Sequence, residues 1–475
     1  SFQVFLSGKI GASGIGLLQL VMSVGSFSMI SGIAGIRTAT MYLTAEELGK
    51  KRKNNIPCVL SGCFLYSIIC STAVTFGLYF LSPWIAIHWI NNPQTVNALR
   101  LYAGFLPVCC LCSVMTGYFT AANRIGTLAA VEVAEQFATM AVTIVLLSRL
   151  DTNNAVQACI CVILGSCLGS CLTLFCLIYL YRMERFRPVH SINMRNRLLN
   201  TALPLALADI LRSGISTTEN LMVPKRLSMN RSVTDPLAAF GTVSGMVFPV
   251  LMFPACILYS LAELLIPELA RCNAAGSHHR IRYLTQRSLK LSMLYGLLFA
   301  GLIFLAAEEL CGILYDSTDA GKYLKLYSVL VPILYCDAIT DATTKGLGQQ
   351  KICVRNNILT SVMDVAILYF LLPQLGMDGF FISFLISHLV NFVLSLHLLL
   401  KITRLRIPGY IPILCVSAAL LAGLVANHFT LMPLKLIAYS ALLFSLLYLS
   451  GIIRKEDMNW LCTIVAAKED KKTSQ

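Results

Sequence analysis

Charge is what this sequence has least of. Aspartate, glutamate, lysine and arginine make up 13% of its 475 residues, where a soluble domain carries about 25%. Long polar connections are missing too. The longest interior one runs to about 25–30 residues, too short to fold as a separate soluble domain. There is no phosphate-cradling Gly-Lys-Ser/Thr loop, no nucleophile elbow and no paired metal-ligand spacing. These absences exclude bound ATP as an energy source and give no support to catalysis. The sequence has 18 cysteines, but they are scattered singly through apolar runs. The nearest approach to a ligand set, Cys109–Cys112, lacks a second pair, so it reads as small apolar packing with neither zinc nor disulfides. No secretory signal peptide is visible.

What is present is apolar: 57% hydrophobic residues and a mean hydropathy of +0.73. The class is therefore an all-α polytopic membrane protein. Apolar stretches fall at 17–36, 58–81, 98–120, 127–148, 155–181, 200–222, 237–261, 289–307, 323–344, 357–372, 380–400, 411–427 and 434–453. At 1.5 Å per residue, stretches of this order match a hydrocarbon core of about 30 Å. "SFQVFLSGKI" at the start reads as the tail of a truncated first helix, which brings the expected total to fourteen.

The basic residues test this topology. Taking alternate connections, one set holds 27 of the 37 lysines and arginines and the other holds nine, with Arg212 inside a span. A threefold bias in strict alternation is the positive-inside pattern, and it assigns the richer set and the C-terminal tail to the cytoplasm. The net charge of +14 then reflects topology and anionic lipid, and no nucleic-acid partner is needed. Trp84 and Trp89 fall on an outer connection, where interfacial aromatics belong. The tail 454–475 reads as a short amphipathic piece on the inner surface.

One sentence is written twice. "LRLYAGFLP" at 99–107 and "LKLYSVLVP" at 324–332 share leucines, a basic residue, a tyrosine and a proline in register. Both enter from outside, six spans apart, so the halves share an orientation. That describes parallel six-helix repeats about an axis along the membrane normal, with substrate passing between them. The expected parts are a lobe over 1–181, a cytoplasmic linker over 182–199 and a second lobe over 200–400. Two extra spans over 401–453 and a tail over 454–475 follow.

Eight ionisable residues lie within spans: Glu132, Glu135, Asp209, Arg212, Glu219, Asp337, Asp341 and Asp364. Each costs roughly 2.5–3.5 kcal/mol at a helix centre, so they must pair, sit near an interface or line water. Asp209, Arg212, Ser216 and Glu219 recur at i, i+3, i+7 and i+10, one stripe of a helix. Asp209 and Arg212 lie about 14–18 Å from the start of their span, near mid-membrane. The stripe reads as a cavity face; the blander alternative is an Asp209–Arg212 pair locking two helices. Asp337, Asp341 and Lys345 follow at i, i+4 and i+8. Lys345 can neutralise Asp341, which leaves the deeper Asp337 as the candidate for proton or cation coupling. Glu132, Glu135 and Asp364 lie near the cytoplasmic ends of their spans and read either as snorkelling or as coupling groups, with Glu135 kept as a coupling candidate. His388 and His397 read as satisfied core histidines.

"KIGASGIGLLQLV" (9–21), "LTAEELGKKR" (43–52), "EQ" (135–136), "LMVPKRL" (221–227), "LIPELAR" (265–271) and "GLGQQKI" (346–352), in this order, resemble the stage V sporulation protein B branch of the polysaccharide-exporter superfamily. That branch is similar to the bacterial lipid II flippase, and the resemblance runs along essentially the whole chain. It implies two six-helix lobes plus two terminal helices around a V-shaped cavity. It also implies alternating access that moves a polyprenyl-diphosphate-linked saccharide across the bacterial cytoplasmic membrane for cell-wall or spore-cortex assembly. A non-enzymatic monomer with no cofactor, driven by H+ or Na+ coupling or by membrane potential, fits that picture. Its implied partners are membrane lipid and the wall- or cortex-synthesis enzymes. Cavity arginines receive the diphosphate in such relatives. Arg212 matches that role, since a planar donor fork suits diphosphate oxygens. Arg37 stands at the cytoplasmic mouth, where relatives often have proline. Two alternatives remain open here: a cation-coupled multidrug and toxic compound extrusion antiporter, and a non-transporting membrane scaffold.

Overall fold

The computed structural model describes residues 2–50, 52–149, 155–183, 194–405 and 408–452. Among the described residues there are helices and turns and no strand. The tail 454–475 and most of the 182–199 linker lie outside them. In chain order the helices are α1 (Phe2–Ile33), α2 (Ile36–Gly49), α3 (Ile56–His88), α4 (Val96–Ala121), α5 (Ile125–Arg149) and α6 (Ala155–Arg182). There follow α7 (Met194–Leu227), α8 (Pro236–Gly241), a π-helical turn (Thr242–Val247), α9 (Phe248–Met252), α10 (Ala255–Ala274) and α11 (His278–Tyr315). The remainder are α12 (Thr318–Ser328), α13 (Val331–Gly346), α14 (Gln350–Leu375), α15 (Met377–Thr403), α16 (Tyr410–Ala426) and α17 (Met432–Leu449).

Each of the thirteen apolar stretches falls on a helix or a bent helix pair. Ten segments are long and apolar enough alone, two more are bent helix pairs, and α16 is a shorter apolar helix. Within α1, Gly11 takes φ 69°, so the helix tail over 2–10 and the first full span are separate helical pieces.

Two expected spans are broken, not straight. The chain bends by 63° between Met252 and Ala255, and by 54° between Ser328 and Val331. Pro254 and Pro332 stand at these breaks, where a missing N–H and ring clash stop the ladder. At the first break tyrosines donate to two backbone carbonyls. Tyr335 donates its hydroxyl to the Leu251 oxygen at 3.0 Å, and Tyr295 donates to that of Pro254 at 2.9 Å. Such repair is what lets an irregular backbone persist where water is scarce.

Packing divides the chain into two compact units: Ser1–Met246 with Ser361–Ser383, and Val247–Thr360 with Phe384–Gln475. The cuts differ from the lobe boundaries expected at 181 and 400, because α7 and α8 pack on α1. In the first unit α1 and α8 meet backbone to backbone. A Cβ on Gly16 would stand 2.2 Å from the Leu237 oxygen, and one on Gly241 2.1 Å from that of Ala12, so only glycine permits the approach. The core of this unit gathers Ile36, Ala39 and Leu43 of α2 against Leu60, Met115, Phe119, Leu177 and Ala202. In the second unit α16 and α17 pack on α11 around Leu297, Ala422 and Tyr439, whose hydroxyl donates to the Leu297 oxygen at 2.8 Å.

The twice-written sentence has a structural counterpart. In the first unit the Arg100 guanidinium lies over the Tyr79 ring at 4.8 Å, and in the second Lys325 lies over the Phe304 ring at 5.3 Å. Both members of each pair are offset by the same 225 positions. The halves therefore repeat a cation–aromatic contact between consecutive helices as well as a string of letters. They differ at the shared proline. α4 runs through Pro107, and the carbonyl of Ala103, four residues earlier, accepts from Thr75 at 3.2 Å. The corresponding Pro332 marks a break.

A polar cavity lined by α1, α2 and α7

α7 is long, 34 residues, and carries Pro204 and Pro224 within it. Its polar stripe faces a cavity of about 600 Å³ shared with α1 and α2. Four sequence-predicted residues line it together: Arg37, Asp209, Arg212 and Ser216. Arg37 gets there because the chain turns left-handed at Ala34 and Gly35, with φ 43° and 71°, between α1 and α2. Residues 37–57 lie between the first two apolar stretches and by composition form a polar connection. In the structure 36–49 is a helix, held by its buried face Ile36, Ala39 and Leu43.

Neither guanidinium is bonded to a side chain. Among the described residues, Arg37 and Arg212 make no ion pair or side-chain hydrogen bond, and both are exposed to the cavity. Asp209 and Arg212 are within electrostatic reach of each other but make no direct ion pair or hydrogen bond. Two guanidiniums and one carboxylate leave the lining net positive, a setting that suits an anionic group with several acceptor oxygens.

The stripe itself needs one correction. The last polar residue lining the cavity is Asn220, and Glu219 is not among the lining. A period of 3.6 counted from Asp209 reaches 220 at the third turn, so the neighbouring residue points about 100° away. Glu219 is instead within electrostatic reach of Asp364, whose carboxylate accepts from the Ser383 hydroxyl at 2.5 Å.

Sequence reasoning missed the neutral end of the cavity, which is built from Gln19, Ser23, Ser26, Thr217 and Asn220. Thr217 donates its hydroxyl to the Ser23 carbonyl at 3.2 Å, Asn220 donates its amide to the Ser23 hydroxyl at 3.0 Å, and Ser23 donates to the Gln19 carbonyl at 2.8 Å. The available signal was the run of small polar residues at helical spacing on both helices.

The coupling candidates lie elsewhere. In the second unit the Asp337 carboxylate accepts from the Asn391 amide at 2.9 Å, and Asn391 accepts from Thr360 at 3.3 Å. The other oxygen of Asp337 is buried without a hydrogen-bond partner. Asp341 pairs with Lys345 at 2.6 Å. Glu135 accepts from Ser170 at 3.0 Å and Thr173 at 2.7 Å, a bond between α5 and α6. His388 packs its ring on Phe384 at 4.2 Å, whereas His397 is exposed. Among the described residues no group of three or more metal-ligating side chains converges.

Ten to twelve candidate crossings among the described residues, an internal repeat and a polar cavity among the spans describe a multi-pass membrane protein of the transporter class. Comparison with known proteins agrees and narrows it. The family profile described as Lipid II flippase MurJ matches residues 41–450, most of the chain, and the protein belongs to that family. Stage V sporulation protein B of Bacillus subtilis (strain 168) is 21% identical over 394 residues, covering 79% of this chain and 75% of the relative. Among solved structures, Lipid II flippase MurJ in an inward closed conformation superposes with a TM-score of 0.74 at 13% identity, covering 95% of this chain and 96% of the other. An inward-facing multidrug resistance MATE family transporter of the MOP superfamily gives 0.70 at 14% identity, covering 85% and 93%.

Proposed function

We propose that the protein is a flippase that carries a polyprenyl-diphosphate-linked saccharide across the bacterial cytoplasmic membrane, with its C-terminus in the cytoplasm. The observation that carries this reading is the pair of unpaired guanidiniums, Arg37 and Arg212, in one cavity among apolar spans. Intramembrane cations that line a cavity mark substrate pathways, and a diphosphate is a ligand whose charge and geometry suit two guanidiniums. Arg37, with Thr38, receives the diphosphate at the mouth, and Arg212, with Ser213 and Ser216, holds it deeper. Asp209 beside them disfavours over-tight retention, so the headgroup can leave after the helices rearrange. No covalent step is required, and the energy comes from an ion gradient or the membrane potential.

A second reading has its own observation. Asp337 keeps one buried carboxylate oxygen unpartnered beside Asn391, a site for a proton or small cation, and the MATE-like fold fits a cation-coupled antiporter. Proteoliposomes offered a fluorescent diphosphate-linked saccharide lipid together with a cationic dye decide between the two. The flippase reading expects the lipid to cross and the dye to stay. Dye movement with the lipid stationary would reverse the assignment.

A further inference from the structure

The cavity is chemically two-ended, and the diphosphate reading uses only one end. Arg37, Asp209 and Arg212 carry all its charge, while Gln19, Ser23 and Asn220 are neutral hydrogen-bonding groups. Along α7, Asn220 lies eight residues beyond Arg212, about 12 Å at 1.5 Å per residue. The neutral end is assembled ahead of any ligand. Asn220 spends an N–H on the Ser23 hydroxyl, which turns to donate to the Gln19 carbonyl, so the Asn220 carboxamide is held in one orientation with its oxygen unengaged. The Gln19 side-chain amide lines the same space and has no hydrogen-bond partner among the described residues.

Two neutral amides at one end of the cavity, one of them held by Ser23 and about a saccharide's length from a cationic end, can donate to and accept from hydroxyl and amide groups. We propose that Gln19 and Asn220, the latter oriented by Ser23, form a saccharide subsite that reads the sugar attached to the diphosphate. The inference rests on the flippase reading and adds the residues that set headgroup specificity. Sites that hydrogen-bond a ligand group discriminate strongly against analogues lacking it, because their polar atoms are then left unpaired.

The test is equilibrium binding to the purified full chain in nanodiscs with two probes: farnesyl diphosphate, and the same lipid diphosphate bearing an N-acetylhexosamine disaccharide. Wild type should bind the second more tightly. Asn220→Leu should weaken the saccharide probe by about 5- to 30-fold, the loss of one or two hydrogen bonds, and change the bare diphosphate by less than about twofold. Gln19→Met, which removes no interhelical bond, should show the same selective loss and guards against a folding defect in the first variant. Arg212→Ala reports separately on the diphosphate reading by weakening both probes. Equal losses for both probes in the Asn220 and Gln19 variants, or no loss in either, would overturn the saccharide subsite whatever Arg212→Ala does.

Discussion

The crossing of α1 and α8 allows a worked prediction. A Cβ added at Gly16 would lie 2.2 Å from the Leu237 carbonyl oxygen, while real Cβ contacts essentially never fall below 3.0 Å. The two backbones must then separate by about 0.8 Å, and neither is a flexible side chain that can swing aside. Overpacking of this kind costs about 1–3 kcal/mol. Gly241→Ala meets the Ala12 oxygen at 2.1 Å across the same crossing. Because one separation relieves both clashes, the double substitution should cost clearly less than the two single costs combined. Gly104 in α4 is the control, since nothing lies within 4 Å of its added Cβ; Gly104→Ala should be neutral or slightly stabilising. Scanning fluorimetry of the detergent-solubilised chain reads the difference as a drop of a few degrees in Tm for Gly16→Ala, given about 2–4 °C per kcal/mol in mid-sized proteins. A Gly16→Ala protein melting with the Gly104→Ala control would refute the close-approach argument.

Two further outcomes are expected. Asp337→Asn should keep the contact with Asn391 but abolish acceleration of transport by an imposed proton or sodium gradient; undiminished acceleration clears Asp337 of coupling. Tyr335→Phe, which strips the donor from the Leu251 carbonyl, should lower stability by about 0.6 kcal/mol and at most about 1.7 kcal/mol, as hydrogen bonds between membrane helices do, and an unchanged Tm would show that another group meets that carbonyl.

The legibility of this molecule in its sequence follows from the solvent it is built for. A bilayer demands about 20 apolar residues per crossing, so all thirteen stretches could be marked, and the repeat at 99–107 and 324–332 announced a contact shared by both halves. The breaks at Met252–Ala255 and Ser328–Val331 were invisible because a proline in an apolar run also occurs in intact helices, as Pro107 does in α4. A distant hydroxyl meets a backbone carbonyl beside the intact Pro107 and beside the broken Pro254 alike, so neither the proline nor that bond tells the cases apart. The cavity was half legible. Charges are conspicuous in a span, so Asp209 and Arg212 stood out and Arg37 followed from the family resemblance. Glu219 drew attention by its charge, although one residue of helical phase gives the cavity position to Asn220. Gln19 and Ser23 went unnoticed because neutral polar residues in a membrane helix have many uses.

The central claim is that the free guanidinium of Arg212 binds the diphosphate of the transported lipid. It is tested most directly by the initial rate at which proteoliposomes translocate a fluorescent diphosphate-linked saccharide lipid, comparing wild type, Arg212→Lys and Arg212→Ala at matched protein incorporation. Losing charge-assisted bonds of about 1.5–3 kcal/mol predicts a rate about 10- to 150-fold lower for Arg212→Ala at subsaturating lipid, with partial recovery in Arg212→Lys. A wild-type rate in Arg212→Ala contradicts the account.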